Sequence, residues 1–127
     1  PTASCFPADH ISGAVGWRVN SDGMAVVFSG DTRFNPELVK ASQGARLLIH
    51  EAYRTDEELE YANQHGHSTA GDAGRAATQA GVAELVLTHF DSEFAVNTQP
   101  LLDDAKKHFN GPTSAATDLY QITVSGQ

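Results

Sequence analysis

Gly66-His67-Ser68-Thr69-Ala70 stands directly before an alanine-rich run with helical spacing, and Leu87-Thr88-His89-Phe90 follows that run. Thr69 has an acidic residue three positions later, as in a capping box, which places His67 immediately ahead of a helix start. His89 stands where an apolar run of strand character ends. A helix followed by a buried strand is typical of a layered α/β fold, so both histidines fall where such folds place their chemistry.

The spacing of apolar residues along the rest of the chain predicts strands and helices that alternate. Strands are expected at Ala14–Val19, Met24–Phe28, Arg46–Ile49, Glu84–Leu87, Thr113–Thr117 and Leu119–Val124. Helices are expected at Asn35–Ser42, Thr55–Asn63, Thr69–Ala80 and Thr98–Phe109. Asn20-Ser21-Asp22-Gly23 predicts a hairpin between the first two strands, and Thr55 with Glu58 predicts a second capping box. Because helices separate apolar strands, the predicted fold class is α/β.

Length, composition and charge limit the classes of protein to which the chain can belong. Its 127 residues are one domain or part of one, and 40% of them are hydrophobic, enough for a core of ordinary size. The net charge is −8 and no block of lysine or arginine occurs, which argues against electrostatic capture of nucleic acid by this segment. No apolar run approaches the roughly 18 residues of a membrane span and no charged-then-apolar leader is present, so a cytoplasmic location is expected.

Acidic residues and histidines recur just past the ends of the predicted strands. Asp31, the His50-Glu51 pair and His89 each follow directly on an apolar run. One such residue alone is usually a turn residue or a plain loop histidine. Their repetition indicates a shared site, because ligands of open α/β sheets bind at the carboxyl ends of the strands. Imidazole nitrogens and a carboxylate are the ligands that a hydrolytic site for divalent metal ions needs.

Several segments of the chain, taken in order, resemble the second half of a hydrolase with the metallo-β-lactamase fold. They are Asp9-His10, Gly16–Val19, Ser29–Thr32, His50–Ala52, Gly66–Ala70, Leu87–Phe90 and Gly111–Tyr120. Within that superfamily they are most similar to the branch of ribonuclease Z and the arylsulfatase-like enzymes. The resemblance implies half of an αβ/βα sandwich, with one mixed sheet and helices on one face. It implies that residues 1–127 are a single partial domain, the C-terminal half of that fold.

The same resemblance assigns roles to individual residues. Asp31 matches a carboxylate that bridges two metal ions, His10 a ligand of one metal and His89 a ligand of the other. Glu51 and His67 match a catalytic pair beside the metal ligands. In that pair a histidine held by a carboxylate donates a proton to the leaving oxygen.

The implied cofactor is a pair of Zn²⁺ ions in each complete site, with other divalent metals as alternatives, because histidine and aspartate are the ligands. The implied reaction is metal-assisted hydrolysis of a small ester or a phosphodiester, as in ribonuclease Z. A sulfate ester, as in the arylsulfatase-like enzymes, is the alternative substrate, since phosphate and sulfate esters present similar tetrahedral oxyanions. His50 and His65 receive no role, and His108 is expected at the surface.

A hallmark of the superfamily, a His-x-His-x-Asp-His cluster, does not occur in this sequence. Without it, each metal has fewer protein ligands than the about three or four of a tight Zn²⁺ site. The expected partner is therefore a missing N-terminal half or a second copy of the chain, which would also cover the apolar sheet face that half a sandwich leaves open. A non-catalytic half-domain that dimerises or binds another chain is the alternative to an enzyme, and a plain α/β binding domain is a third interpretation.

Overall fold

A computed structural model of the chain describes residues 1–125. Its strands form one six-stranded sheet in which neighbours in sequence are also neighbours in space. The strands are β1 (Thr2–Pro7), β2 (Val15–Ser21), β3 (Met24–Phe28), β4 (Leu47–Glu51), β5 (Leu85–Thr88) and β6 (Thr113–Ala115). Strands β1 to β3 pair antiparallel and strands β3 to β6 pair parallel, so the sheet is mixed.

The helices gather on one face of this sheet. They are α1 (Pro36–Ala41), α2 (Leu59–Gln64), α3 (Ala70–Ala80) and α4 (Gln99–Lys106), with 3₁₀ turns at Asp56–Glu58 and Ser92–Phe94. Leu38 of α1 and Leu101 of α4 join Val27, Leu48 and Leu85 of the strands in one buried core. The predicted α/β class, a mixed sheet with helices on one face, is confirmed. None of the helices in the described residues combines the length and the apolar character that a membrane crossing requires.

Helix α3 begins, ends and packs as its sequence predicts. Thr69 accepts a hydrogen bond from the backbone N–H of Asp72, whose carboxylate accepts one from the N–H of Thr69, so the predicted capping box is confirmed. Gly81 ends the helix at φ 68°. Apart from Asp72, the buried residues of α3 are alanines and glycines, and a Cβ at Gly74 would overlap the backbone oxygen of Ala105 in α4. Glycine at this position therefore allows the two helices to lie in close contact.

The opposite face of the sheet is apolar and partly exposed. Cys5, Trp17, Phe28, Ile49 and Val86 form a row across strands β1 to β5, because each is paired in register with the next. Trp17 is 45% exposed and Phe28 is 41% exposed. Aromatic and aliphatic side chains in one continuous row are typical of a surface that another part of a protein covers.

Among the N-terminal strands, the hairpin between β2 and β3 was predicted and strand β1 was not. Asp22 and Gly23 join β2 to β3 with φ 54° and 76°, the two positive values of a type I′ turn, so the predicted hairpin is confirmed. Strand β1 lies outside the predictions. Only Phe6 of this edge strand is buried, so its sequence carries no apolar alternation, and Pro7 is typical of a strand end.

The predicted strand at Leu119–Val124 is wrong, because residues 116–125 of the described chain contain no strand. Leu119 has φ 64°, which lies in the left-handed region that extended strands do not use. Strand β6 is also shorter than the predicted Thr113–Thr117 and ends at Ala115. Sequence composition alone does not distinguish such a turned apolar segment from a short strand.

The predicted helix at Thr55–Asn63 is divided in two. The 3₁₀ turn precedes α2, and Thr55 makes no side-chain capping hydrogen bond. The predicted capping box is therefore wrong. Its acidic member, Glu58, instead accepts a hydrogen bond from the guanidinium of Arg54 at 2.6 Å.

Strand β4 continues past the predicted Arg46–Ile49, since His50 and Glu51 pair in register with β5. Successive strand residues point to opposite faces of a sheet. His50 therefore lies on the same face as Leu48, in the layer that the helices cover, and is fully buried. Glu51 lies on the other face, beside the end of β3.

Candidate metal centre

Acidic and histidine side chains meet at the carboxyl edge of the sheet, where β3, β4 and β5 end. An open cavity of about 300 Å³ lies there and is lined by Phe28, Asp31, Ile49, Glu51 and His89, among others. The three strands pair parallel, so the loops that follow them emerge at the same edge. This order of strands explains why residues distant in sequence converge.

Asp31 lies between two histidines that approach different oxygens of its carboxylate. Nε2 of His10 is 4.0 Å from Oδ2 of Asp31, and Nε2 of His89 is 3.7 Å from Oδ1. These separations are longer than the ~2.7–3.2 Å of a hydrogen bond. They approach the roughly 3.3–3.6 Å between two ligand atoms of one tetrahedral Zn²⁺ ion, given metal–ligand bonds of ~2.0–2.2 Å. The geometry fits a carboxylate that offers one oxygen to each of two metals.

Backbone contacts and backbone conformation constrain the positions of His10 and His89. Nδ1 of His10 lies 2.8 Å from the carbonyl oxygen of Gly66, an arrangement by which metal-binding histidines commonly fix their ring orientation. Gly66 has φ 79°, and a Cβ there would lie 2.5 Å from Nδ1 of His10. His89 itself has φ 55°, a left-handed conformation that is uncommon outside glycine.

Glu51 and His67 form a second group with a different geometry. Nδ1 of His67 lies 3.0 and 3.1 Å from the two oxygens of Glu51, within hydrogen-bond distance. The backbone N–H groups of Thr32 and Ser68 donate to the same carboxylate at 2.5 and 3.1 Å. The Glu51 side chain is 1% exposed. Its oxygens thus accept hydrogen bonds from two backbone N–H groups and face Nδ1 of His67, an arrangement that can orient the histidine ring.

Burial is the largest influence on the pKa values of Glu51 and His67. It raises the pKa of Glu51 to about 8, although the N–H groups of Thr32 and Ser68 act in the opposite direction. Burial likewise lowers the pKa of His67, with the negative charge of Asp31 opposing it. A cation bound at Asp31 would lower the pKa of Glu51, because a nearby positive charge favours the ionised carboxyl group.

The ring of His67 packs against the rings of Tyr53, His10 and His89. The ring of Tyr53 stacks on His67 with centroids 4.8 Å apart and lies 6.3 Å from the ring of His89. The His67 ring is 5.0 Å from the rings of both His10 and His89. Sequence reasoning missed Tyr53, and the one available signal was its position shortly after the His50-Glu51 pair.

The structure brings together all the residues that the sequence predicts for the site. Asp31, Glu51, His67 and His89 each offer a ligand atom, and these atoms lie within 4.8 Å of one another. His10 joins the group through Asp31. Imidazole nitrogens around a carboxylate are a donor set that suits a divalent metal ion. The residues present therefore fit the divalent metal ions that the fold implies.

The remaining histidines lie apart from this cluster. His50 is buried on the helix-covered face, where Nδ1 lies 2.8 Å from the backbone oxygen of Glu51. His65 is exposed and bonds the backbone oxygen of Tyr61. His108, predicted at the surface, is half-buried at the end of α4, where Nε2 lies 3.1 Å from the guanidinium of Arg75.

The sequence is similar to two kinds of known protein. A family model described as the beta-lactamase superfamily domain matches residues 2–90. Ribonuclease Z of Myxococcus xanthus is 43% identical over 102 residues, which are 80% of this chain and 33% of the relative. Ribonuclease Z of Methanosarcina acetivorans is 41% identical over 102 residues, with the same shares of the two chains. The chain thus spans about a third of the length of the curated relatives that it matches.

Solved structures share the fold. The metallo-β-lactamase-fold protein YhfI of Bacillus subtilis superposes with a TM-score of 0.84 at 26% identity, covering 91% of this chain and 46% of that one. Human tRNase Z, short form, superposes with a TM-score of 0.77 at 27% identity, covering 97% of this chain and 43% of that one. The sequence relatives and the human protein are named as ribonucleases, which gives no support to the arylsulfatase alternative.

Proposed function

The chain belongs to the β-lactamase superfamily, and on that basis we propose that residues 1–127 are the C-terminal half of a binuclear, metal-dependent phosphodiesterase of the ribonuclease Z type. The observation that carries the proposal is the position of Asp31 between Nε2 of His10 and Nε2 of His89, with one histidine near each carboxylate oxygen. The substrate that follows from the names of the relatives is RNA.

His10 and Asp31 would hold one metal ion, and His89 and Asp31 the other. Zn²⁺ is the proposed metal because the donors are imidazole nitrogens and carboxylate oxygens. When bound, such a pair supplies Lewis acidity at the phosphoryl oxygens and a water nucleophile of lowered pKa. The negative charge of Asp31 offsets part of the positive charge of two ions, which a neutral side chain at this position would not do.

Glu51 and His67 would act on the leaving group. Hydrogen bonding at Nδ1 to the two oxygens of Glu51 holds the His67 ring in place. With Nδ1 committed to Glu51, Nε2 is the atom that gives a proton to the departing oxygen. The N–H donors of Thr32 and Ser68 keep Glu51 in position during that transfer.

The proposal also requires ligands from outside these residues. Each metal receives two ligands here, against the about three or four that hold Zn²⁺ tightly. The chain covers 46% of the YhfI structure, which leaves room for another half to supply them. An N-terminal half that covers the apolar row around Trp17 and Phe28 is the proposed source, and a second copy of the chain is the alternative.

The test uses the full-length protein that contains these residues. We expect about two Zn²⁺ ions per active site by elemental analysis, together with hydrolysis of RNA and of bis(p-nitrophenyl) phosphate. Asp31→Ala should lose both metal and hydrolysis, whereas p-nitrophenyl sulfate should be a poor substrate. Absence of bound metal in the full-length protein, or full activity of Asp31→Ala, would contradict the proposal and favour the non-catalytic half-domain.

A further inference from the structure

We propose that Arg54 is a positioning residue for His89, acting through its ion pair with Asp91, a role that rests on the metal centre proposed above. Arg54 follows β4 and Asp91 follows β5, so the pair ties together the two loops that carry Tyr53 and His89. Within residues 1–125, neither residue forms an ion pair with Asp31, whose ion pairs are with His10 and His89. The role of the pair is to fix the backbone from which His89 reaches the metal centre.

The contacts of Arg54 explain why it is rigid enough for this role. Its guanidinium lies 2.5 Å from a carboxylate oxygen of Asp91 and 2.6 Å from one of Glu58. The carbon at its centre lies 4.2 Å from the ring centroid of Tyr61 and 5.3 Å from that of Tyr53. The Arg54 side chain is 17% exposed and that of Asp91 is 20% exposed. An ion pair shielded from water to this degree is stronger than a fully exposed surface pair, because solvent screens it less.

His89 requires such an anchor because its backbone is strained. A non-glycine residue at φ 55° has a higher energy than in ordinary conformations, and neighbouring structure has to hold it there. Asp91 provides the hold two residues later. Its backbone N–H donates to the carbonyl oxygen of Tyr53 at 3.0 Å, while its carboxylate binds Arg54. Loss of the ion pair would leave Asp91 attached to the loop after β4 only through its backbone hydrogen bond to Tyr53.

The opposite side of the centre contains a comparable but weaker arrangement. Arg33 lies 3.2 Å from a carboxylate oxygen of Asp9, the residue directly before His10. Arg33 also donates to the backbone oxygen of Asn63 at 2.6 Å. Here the exposed fractions of the two side chains are 35% and 57%, so water screens the ion pair more. Arg33 therefore serves as a matched control for Arg54.

The experiment compares Arg54→Met with Arg33→Met in the full-length protein. In metal-free protein, carbon–proton correlation spectra of the histidine rings should show His89 shifted or broadened in Arg54→Met and His10 unchanged. Competition between Zn²⁺ binding and a chelator should show a 10–100-fold loss of affinity for one of the two ions, the range expected for outer partners of metal ligands. Arg33→Met should affect His10 instead, and by a smaller factor.

Asp91→Asn provides the second variant, because it keeps the shape of the side chain and removes only its charge. It should change the His89 signal in the same direction as Arg54→Met, and the double variant should show less than the sum of the two effects. An unchanged His89 signal and unchanged Zn²⁺ affinities in folded Arg54→Met or Asp91→Asn would overturn the inference. If the wild-type protein binds no Zn²⁺, the proposed function fails, while the ring signal of His89 in metal-free protein still decides the positioning role.

Discussion

Asp31 and Glu51 are carboxylates at the ends of neighbouring strands, yet their surroundings are opposite. The side chain of Asp31 is 44% exposed and has two histidine nitrogens 3.7 and 4.0 Å away, too far for hydrogen bonds. That of Glu51 is 1% exposed, accepts hydrogen bonds from two backbone N–H groups and lies 3.0 Å from Nδ1 of His67. Two carboxylates at one edge of a sheet are therefore suited to two different tasks. The exposed carboxylate has oxygens available for cations, and the buried one holds His67, the proposed proton donor.

The largest expected effect tests the exposed carboxylate. Asp31→Asn should lower the affinity for Zn²⁺ by more than about 100-fold, above the loss typical of residues outside the ligand set. Its free energy of unfolding should stay within about 0.5 kcal/mol of the wild type, since no hydrogen bond of the fold is lost. Metal titration and urea unfolding of the metal-free protein measure the two quantities. A large loss of stability would remove the contrast between Asp31 and Glu51.

The buried carboxylate should behave in the reverse way. Glu51→Gln turns an amide NH₂ toward the N–H donors of Thr32 or Ser68, which leaves a buried donor without an acceptor. The free energy of unfolding should fall by about 1–3 kcal/mol. Glu60→Gln, at an exposed position of α2, is the control and should change it little. Equal stability of the two variants in urea unfolding would show that the hydrogen bonds of Glu51 contribute nothing.

Gly66 lies between the surroundings of the two carboxylates: its backbone oxygen faces His10, which is near Asp31, and the next residue, His67, contacts Glu51. Its replacement should weaken Zn²⁺ binding less than Asp31→Asn does. Gly66→Ala places a Cβ 2.5 Å from Nδ1 of His10 at φ 79°, whereas Gly44→Ala meets no atom within 4 Å at φ 66°. Both variants carry the cost of a left-handed alanine, about 1–2 kcal/mol. Only Gly66→Ala should also weaken Zn²⁺ binding, because His10 has to move. Identical Zn²⁺ affinities would mean that the contact with His10 is unimportant.

The smallest effect concerns pH and His50, the buried neighbour of Glu51. Burial lowers the pKa of His50 below its usual 6.5, so the folded protein holds it neutral. The unfolded chain binds a proton as the pH falls below about 6.5, and the stability of the fold decreases there by up to about 1.4 kcal/mol per pH unit. Glu51, whose pKa is raised to about 8, acts in the opposite sense between its unfolded and folded pKa values.

Comparison with His50→Gln separates the two contributions. Urea unfolding at pH 7.5 and pH 5.5 should show that acidification stabilises His50→Gln more, or destabilises it less, than it does the wild type, because Glu51 is present in both proteins and the buried histidine only in the wild type. An equal change in the two proteins would indicate that His50 is protonated in the folded state or reached by water.

The sequence predicted the parts of the fold that depend on local chemistry. The turn at Asp22-Gly23 and the capping box of Thr69 follow from residue types within a few positions, and both are confirmed. Strand β1 and the turned segment at Leu119 lack such a local signal. An edge strand with one buried side chain leaves no apolar pattern to detect, and Leu119, which is 96% exposed, is apolar without being part of the core.

In the candidate site, too, residues that carry a sequence signal were predicted and residues without one were missed. His10, Asp31, Glu51, His67 and His89 were predicted because a resemblance carried their order along the chain, and the structure brings them together. Tyr53 and Arg54 were missed, because stacking on His67 and pairing with Asp91 appear only when the loops after β4 and β5 lie side by side. Their residue types are ordinary for a loop. The roles of all these residues stay predictions until the variants above are measured.

The short run from His67 to Thr69 has a consequence for motion. One residue is the proposed proton donor, the next donates its N–H to Glu51, and the third caps α3. His67 is thereby joined without an intervening flexible residue to the helix at the centre of the core. The backbone amide protons of His67 to Thr69 should exchange with solvent deuterium about as slowly as those of α3. They should exchange far more slowly than those of the loop at Val96, which is 96% exposed. We therefore expect His67, the proposed donor, to be as immobile as the core, even though it lies at the open edge of the sheet.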